Sequence, residues 1–269
     1  MRTVLTFVAF ALVAVLSLAL VAPPFVDWTA ERAQIEAQLS ERLGMPLRTS
    51  GPIEVRLLPI AYVEFGGLEA GPAGAPVFVS EHARFEISLA SLLAARLRFA
   101  EVDLTRPALK LDLEATSRLG ALPAALAAAG AEKLKLRGGS LVLSRGAAGA
   151  TSLAALDVDA SAGSLLGPFR GEGATTLADG RRIGFEFVAS AVVAGALPIK
   201  AAISDGNAAW KATFDGALSA TPGGRVAFTG ATTLSGALGT LDDVGPLPWK
   251  LAGALSADTR AARLENLTA

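Results

Sequence analysis

From Met45 onward the chain repeats with a period of two. Leu109, Leu111 and Leu113 alternate with Lys110, Asp112 and Glu114, Ile53, Val55 and Leu57 with Glu54 and Arg56, and Phe85, Ile87 and Leu89 with Glu86 and Ser88. Successive side chains on a strand point to opposite faces, so each segment makes a strand with one apolar and one polar side. A sheet of such strands has three ways to treat its apolar face: cover it with a second layer, close it into a barrel, or keep it for an apolar ligand.

The second half of the chain favours hairpins. Turn chemistry stands at Gly138-Gly139, Asp179-Gly180, Asp205-Gly206 and Pro222-Gly223-Gly224, between segments such as Leu134 and Leu136 among Lys133, Lys135 and Arg137, or Ile183, Phe185 and Phe187 with Arg182 and Glu186. Phe-x-Gly recurs at Phe169-Arg170-Gly171, Phe214-Asp215-Gly216 and Phe228-Thr229-Gly230. Repetition of this kind favours an extended meander. Short helices are expected near residues 91–95 and 121–129, and little helix after residue 130. That leaves a sandwich, a barrel or a curved open sheet lined with Leu, Val, Ile and Phe.

Ahead of the strands, Val4 to Ala22 is an uncharged apolar run. A hydrocarbon core about 30 Å thick is crossed by roughly 20 helical residues. The run exceeds the apolar core of a secretory signal, about 7 to 15 residues, and leads into Pro23-Pro24-Phe25, so residues 1–24 read as an uncleaved transmembrane anchor. Arg2 and the amino terminus hold the short side in the cytoplasm and export the rest. The absence of cysteine is compatible with an oxidising compartment. A helix is expected from Trp28 to Leu43, capped by Asp27 and stopped by Gly44, with Trp28, Ile35, Leu39 and Leu43 on one stripe. It lies either at the membrane surface or on the first sheet.

Composition excludes several functions. A net charge of −1 gives no field for a polyanion, so nucleic acid is not an expected partner. Hydrophobic residues make up 52% of the chain and its mean hydropathy is +0.47, too high for disorder. No enzyme signature, cofactor motif or metal set is found. His82 is the only histidine, at the polar start of a strand. Asp159-Ala160-Ser161-Ala162-Gly163 lacks the first glycine of a nucleophile elbow and reads as a strand end. Gly171-Glu172-Gly173 lacks the third phosphate-cradling glycine and reads as a turn or bulge. The acid pairs Asp157 and Asp159, Asp242 and Asp243, and Asp112 and Glu114 read as solvated faces and turns. Asn266-Leu267-Thr268 fits a glycosylation triplet.

The N-terminal features resemble the AsmA family of inner-membrane-anchored envelope proteins. The resemblance is carried by the anchor with Ala22-Pro23-Pro24-Phe25-Val26-Asp27-Trp28, then Arg32, Ile35-Glu36, Gly44, Ser50-Gly51-Pro52, Leu57-Leu58-Pro59, Leu92-Leu93 and Arg106-Pro107. It covers residues 1 to about 114, and beyond them only the glycine-punctuated repetition agrees. Ile60-Ala61 lacks the second proline that often follows Leu-Pro, Ser91 replaces the proline usual before Leu-Leu, and members are usually longer. What the resemblance implies is an anchor (1–24), a chorein-like region (25–114) and a repetitive antiparallel region (115–269), forming an elongated, curved, mainly β structure with an apolar groove. The implied protein sits in the inner membrane by one span with its bulk in the periplasm. It takes part in outer-membrane assembly and binds or transfers phospholipid, with membrane lipid and envelope proteins as partners. The groove residues expected from the alternation are Ile53, Val55, Leu57, Phe85, Ile87, Leu89, Leu109, Leu111 and Leu113. A structural or chaperone-like factor acting on protein partners is the alternative.

Overall fold

A computed structural model of the chain describes residues 28–43, 45–88, 99–112, 131–144, 150–162, 168–207, 209–220, 226–241, 245–258 and 261–269. The apolar run at 4–22, Leu89, Leu113, Asp27, Gly44, residues 222–224 and the two short helices expected at 91–95 and 121–129 lie outside them. The described residues form one helix, α1 (Arg32–Leu43), and one long, curved sheet of fifteen strands. The strands are β1 (Leu47–Arg56), β2 (Ala61–Ala70), β3 (Phe78–Ser80), β4 (His82–Ile87), β5 (Phe99–Thr105), β6 (Ala108–Asp112), β7 (Lys133–Ser144) and β8 (Ala150–Ala162), followed by β9 (Phe169–Leu177), β10 (Arg182–Ala189), β11 (Ala196–Asp205), β12 (Trp210–Ala220), β13 (Val226–Leu241), β14 (Gly245–Asp258) and β15 (Ala262–Thr268).

From β7 to β15 each strand pairs antiparallel with the next, as successive hairpins require. Turns stand at Asp179-Gly180 and Gly206, as their chemistry predicts. The expectation of a purely antiparallel sheet is corrected at β7, whose first half runs parallel to β5 and whose second half runs parallel to β6. Parallel neighbours need a crossover, and the chain between β6 and β7 supplies its length.

Two of these junctions are kinks within continuous ladders. His82↔Thr105 on β4–β5 and Phe78↔Leu109 on β3–β6 share one register, and so do Thr105↔Arg137 and Ala108↔Ser140 against β7. At the kink Arg106 adopts φ +48° and its neighbour Gly138 φ +62°. The Arg106 N–H donates to the Arg137 carbonyl at 2.7 Å, and Ser140 N–H donates to Pro107 carbonyl at 2.7 Å. The burial of alternate residues then slips by one: Val102 and Leu104 are buried before the kink and Pro107 after it. Phe65 and Leu68 on β2 show the same slip and share one core. The seam continues to Gly51-Pro52 in β1, where the register shifts, and to Ala155 (φ +48°) in β8. Gly138-Gly139, expected as a turn, is therefore a mid-strand bulge. A left-handed residue bends a strand as effectively as it closes a hairpin.

The core lies where α1 meets the sheet. Leu47, Ile53, Phe65, Leu68, Ala83, Val102 and Leu104 are buried, with Trp28, Ile35 and Leu39 packed on them. Of the two placements left open for the helix, its stripe thus takes the sheet. The adjacent flank of the helix meets the outer edge of β1. Arg32 donates to the Thr49 and Gly51 carbonyls at 2.6 and 2.5 Å, Glu36 Oε1 accepts from Thr49 N–H at 2.6 Å, and Ser40 Oγ accepts from Leu47 N–H at 2.9 Å. Spacing of four residues puts these three side chains in one row. They satisfy backbone groups that an edge strand otherwise leaves unpaired.

Candidate functional site: a continuous apolar sheet face

Residues directly paired on neighbouring strands project to the same side, so the register traces each face across the sheet. One rung reads Ile53, Phe65, Ala83, Leu104, Leu136, Val158, Gly173, Phe185, Ile203, Ala212, Leu234 and Leu251 from β1 to β14. The rung two residues away reads Val55, Val63, Phe85, Val102, Leu134, Ala160, Gly171, Phe187, Ala201, Phe214, Thr232 and Gly253. Neither contains a charge.

The rung between them projects to the other side and starts Glu54, Glu64, Arg84, Asp103, Lys135, Asp159, Glu172, Glu186. Ion pairs tile that face: Lys135 with Glu101 at 2.7 Å, Arg137 with Asp103 at 3.2 Å, Lys200 with Asp215 at 2.8 Å and Lys211 with Glu186 at 3.3 Å. A hydrogen bond from Lys135 to Glu101, reinforced by the carboxylate's charge, holds the Lys135 ammonium above its ordinary pKa, and Asp215 does the same for Lys200. Cavities of about 850 and 720 Å³ open on this polar side, both walled by Asp159, Glu172, Glu186 and Lys211. Seven charged side chains of both signs stand in the lining of each.

Burial changes along the apolar face. Under α1, Phe65 is 2% exposed and Ile53 5%. From β8 onward Val158, Phe185, Ile203 and Leu234 are half-buried, and Leu251 reaches 38% exposure. Among the described residues α1 packs across the sheet rather than beside a strand, and it lies on β1. Glycines smooth the uncovered part. A Cβ built at Gly171 would lie 2.6 Å from the Phe187 ring, one at Gly173 2.6 Å from Phe185, and one at Gly236 2.7 Å from Trp249. Each ring occupies the space a side chain would take on the adjacent strand, so rings rest on bare backbone at these three points. Gly171-Glu172-Gly173 is accordingly a stretch of β9 under two rings, and the reading of it as a turn or bulge is corrected.

The residues expected to line a groove divide by place. Ile53 lies in the core beneath α1, and Val55, Phe85 and Ile87 are half-buried on the same face. Leu57 falls just beyond β1, 38% exposed. Leu109 is half-buried, paired with Phe78 and Leu141 beyond the seam. Leu111 sits on β6 opposite Leu143 in register. Phe185, Phe187, Ile203 and Phe214 were not among the expected groove residues, although the alternation of Phe185 and Phe187 with Glu186 carries the same signal.

The residues set aside as non-catalytic are solvated. His82 is exposed, 3.7 Å from Glu64, and Ser161 is exposed one residue before the end of β8. Asp157 accepts from the Gly138 N–H at 2.8 Å, which ties it to the bulge. No group of three or more metal-ligating side chains occurs among the described residues. The chain matches no family model, no curated protein and no solved structure.

Proposed function

We propose that this is a membrane-anchored envelope protein that binds phospholipid by its acyl chains along the uncovered apolar face of the sheet and passes it between envelope membranes. The observation that carries this reading is the charge-free pair of rungs crossing twelve strands, set against an ion-paired opposite face. A face that served only as core would be closed by a second layer, as α1 closes it over Phe65. Acyl chains laid across Phe185, Phe187, Ile203 and Phe214 would leave water at about 0.8 kcal/mol per methylene, and the headgroup would stay solvated at the sheet margin. The apolar run at Val4–Ala22 supplies the attachment to the inner membrane, with the strands on the periplasmic side.

The test is a photoreactive side chain at position 187 or at its neighbour 186, which face opposite sides of one strand. Phospholipid crosslinked at 187 and absent at 186 supports the proposal. Equal recovery at both positions, or none at 187, overturns it.

A further inference from the structure

Among the described residues the connections at the two ends of the strands differ in chemistry, although Leu247, 46% exposed, stands at the end of the polar turns. Following the register, Ala61, Ile87, Phe99, Lys133, Ser161, Phe169, Ala189 and Ile199 share one end of the sheet, and with them the β1–β2 and β10–β11 connections. The opposite end carries the turns at Asp179-Gly180 and Gly206, closed by polar chemistry such as the Arg181 N–H donating to Asp179 at 3.0 Å. The first end instead displays Leu57 and Ile60 in one connection, 38% and 50% exposed, and Val192 and Val193 in the other, 48% and 65% exposed.

The β10–β11 tip is built, not frayed. Val193 and Ala196 exchange hydrogen bonds of 2.9 and 3.0 Å around Ala194 at φ +52° and Gly195 at φ +78°. A two-residue turn with both centres left-handed favours Asn-Gly. Here alanine occupies the strained first centre, so the tip is kept apolar where a polar residue would fit the backbone better. The start of α1 also faces this side: Ser40 lies against Leu47 and Arg32 against Gly51, so the helix runs antiparallel to β1, which runs toward this end.

We infer that this rim, Leu57 and Ile60 together with Val192 and Val193, dips into the lipid surface of the membrane to which the chain is anchored. The inference rests on the anchored, lipid-binding reading and adds its orientation: strands upright, apolar tips in the interface, Asp-Gly turns toward the aqueous space. Aliphatic tips on ordered turns suit a lipid interface, which accepts them without polar partners. Upright strands bring the apolar face to the bilayer, so a lipid enters along the strands.

The cysteine-free sequence makes the test direct. In the full chain, single substitutions Ile60→Cys and Val193→Cys on this rim, and Asp179→Cys and Gly206→Cys on the other, carry an environment-sensitive fluorophore. The protein is reconstituted into phosphatidylcholine vesicles containing doxyl-labelled lipid. The expected result is a blue shift and loss of most emission at 60 and 193, and neither at 179 and 206. If all four probes stay in water while the chain floats with the vesicles, the rim does not dock and the anchored lipid-binding reading stands. Equal quenching at all four also overturns the orientation. A chain that does not float with vesicles overturns both readings.

Discussion

Phe214 and Phe228 meet edge to face, 6.2 Å between centroids and 89° between planes, across the point where Gly216 and Gly230 oppose each other. The Phe-x-Gly repetition therefore has a spatial meaning. Phenylalanine and glycine two residues apart share a face, and antiparallel pairing of two such units puts rings beside bare backbone.

Filling that backbone should be costly. A Cβ at Gly216 would stand 2.7 Å from the Gly230 Cα and 2.9 Å from the Phe228 ring. Gly216→Val is expected to lose about 1–3 kcal/mol, as overpacking does. Gly184→Ala, whose added atom would meet Ser204 Oγ at 3.5 Å and the Gly173 carbonyl oxygen at 3.9 Å, should stay within about 0.5 kcal/mol of wild type. Urea unfolding midpoints of the two variants give the comparison.

One face, two environments, gives a second expectation. Phe65→Glu buries an unpaired charge beneath α1 and should cost several kcal/mol, roughly 3 or more. Ile203→Glu, on the half-buried stretch, should leave melting close to wild type yet abolish phospholipid crosslinking at 187. A cooperative unfolding loss at Ile203→Glu equal to that at Phe65→Glu would mean that both belong to a closed core.

The strands were legible because alternation is local: the periods at 53–57, 85–89 and 109–113 all fall on or beside observed strands. The seam was not. Gly138-Gly139 looks like a hairpin because glycine signals a left-handed backbone without saying whether the chain reverses, and its partner Arg106 is far away in sequence. Parallel pairing of β7 was equally hidden, since period two is the same for either direction. The expected groove residues all lie in the first half, which also carries the resemblance. There Ile53 is covered by α1, whereas Val158, Phe185 and Ile203 farther along the face are half-buried.

The helix clasp yields a third prediction. Glu36→Ala removes the acceptor for both the Thr49 N–H and its hydroxyl, the latter at 2.8 Å. A part-buried donor left unpaired costs about 1–3 kcal/mol. Hydrogen exchange at the Thr49 amide should accelerate beyond what the global stability change accounts for, with little effect at Phe185.

The basic limb of the stability curve follows from the lysines. The pKa of Lys135 and Lys200 is raised above 10.5 in the folded chain, so their contribution is complete below the unfolded value and fades as pH rises through the folded one. Denaturant midpoints should fall above about pH 10.5. Glu101→Gln should flatten part of that decline by removing the partner of Lys135. An unchanged curve in the variant would assign the basic limb to other groups.

The clasp on β1 also sets a direction of growth. Arg32, Glu36 and Ser40 occupy outer backbone groups of β1, whereas among the described residues every residue of β15 is exposed and the strand carries Arg263, Glu265 and a left-handed Asn266. A further hairpin cannot add at β1 without displacing the helix. At β15 it can add by pairing alone, lengthening both faces and disturbing nothing already folded. A longer or shorter sheet in this architecture is thus a matter of the number of hairpins appended at one margin, with the clasped start held constant.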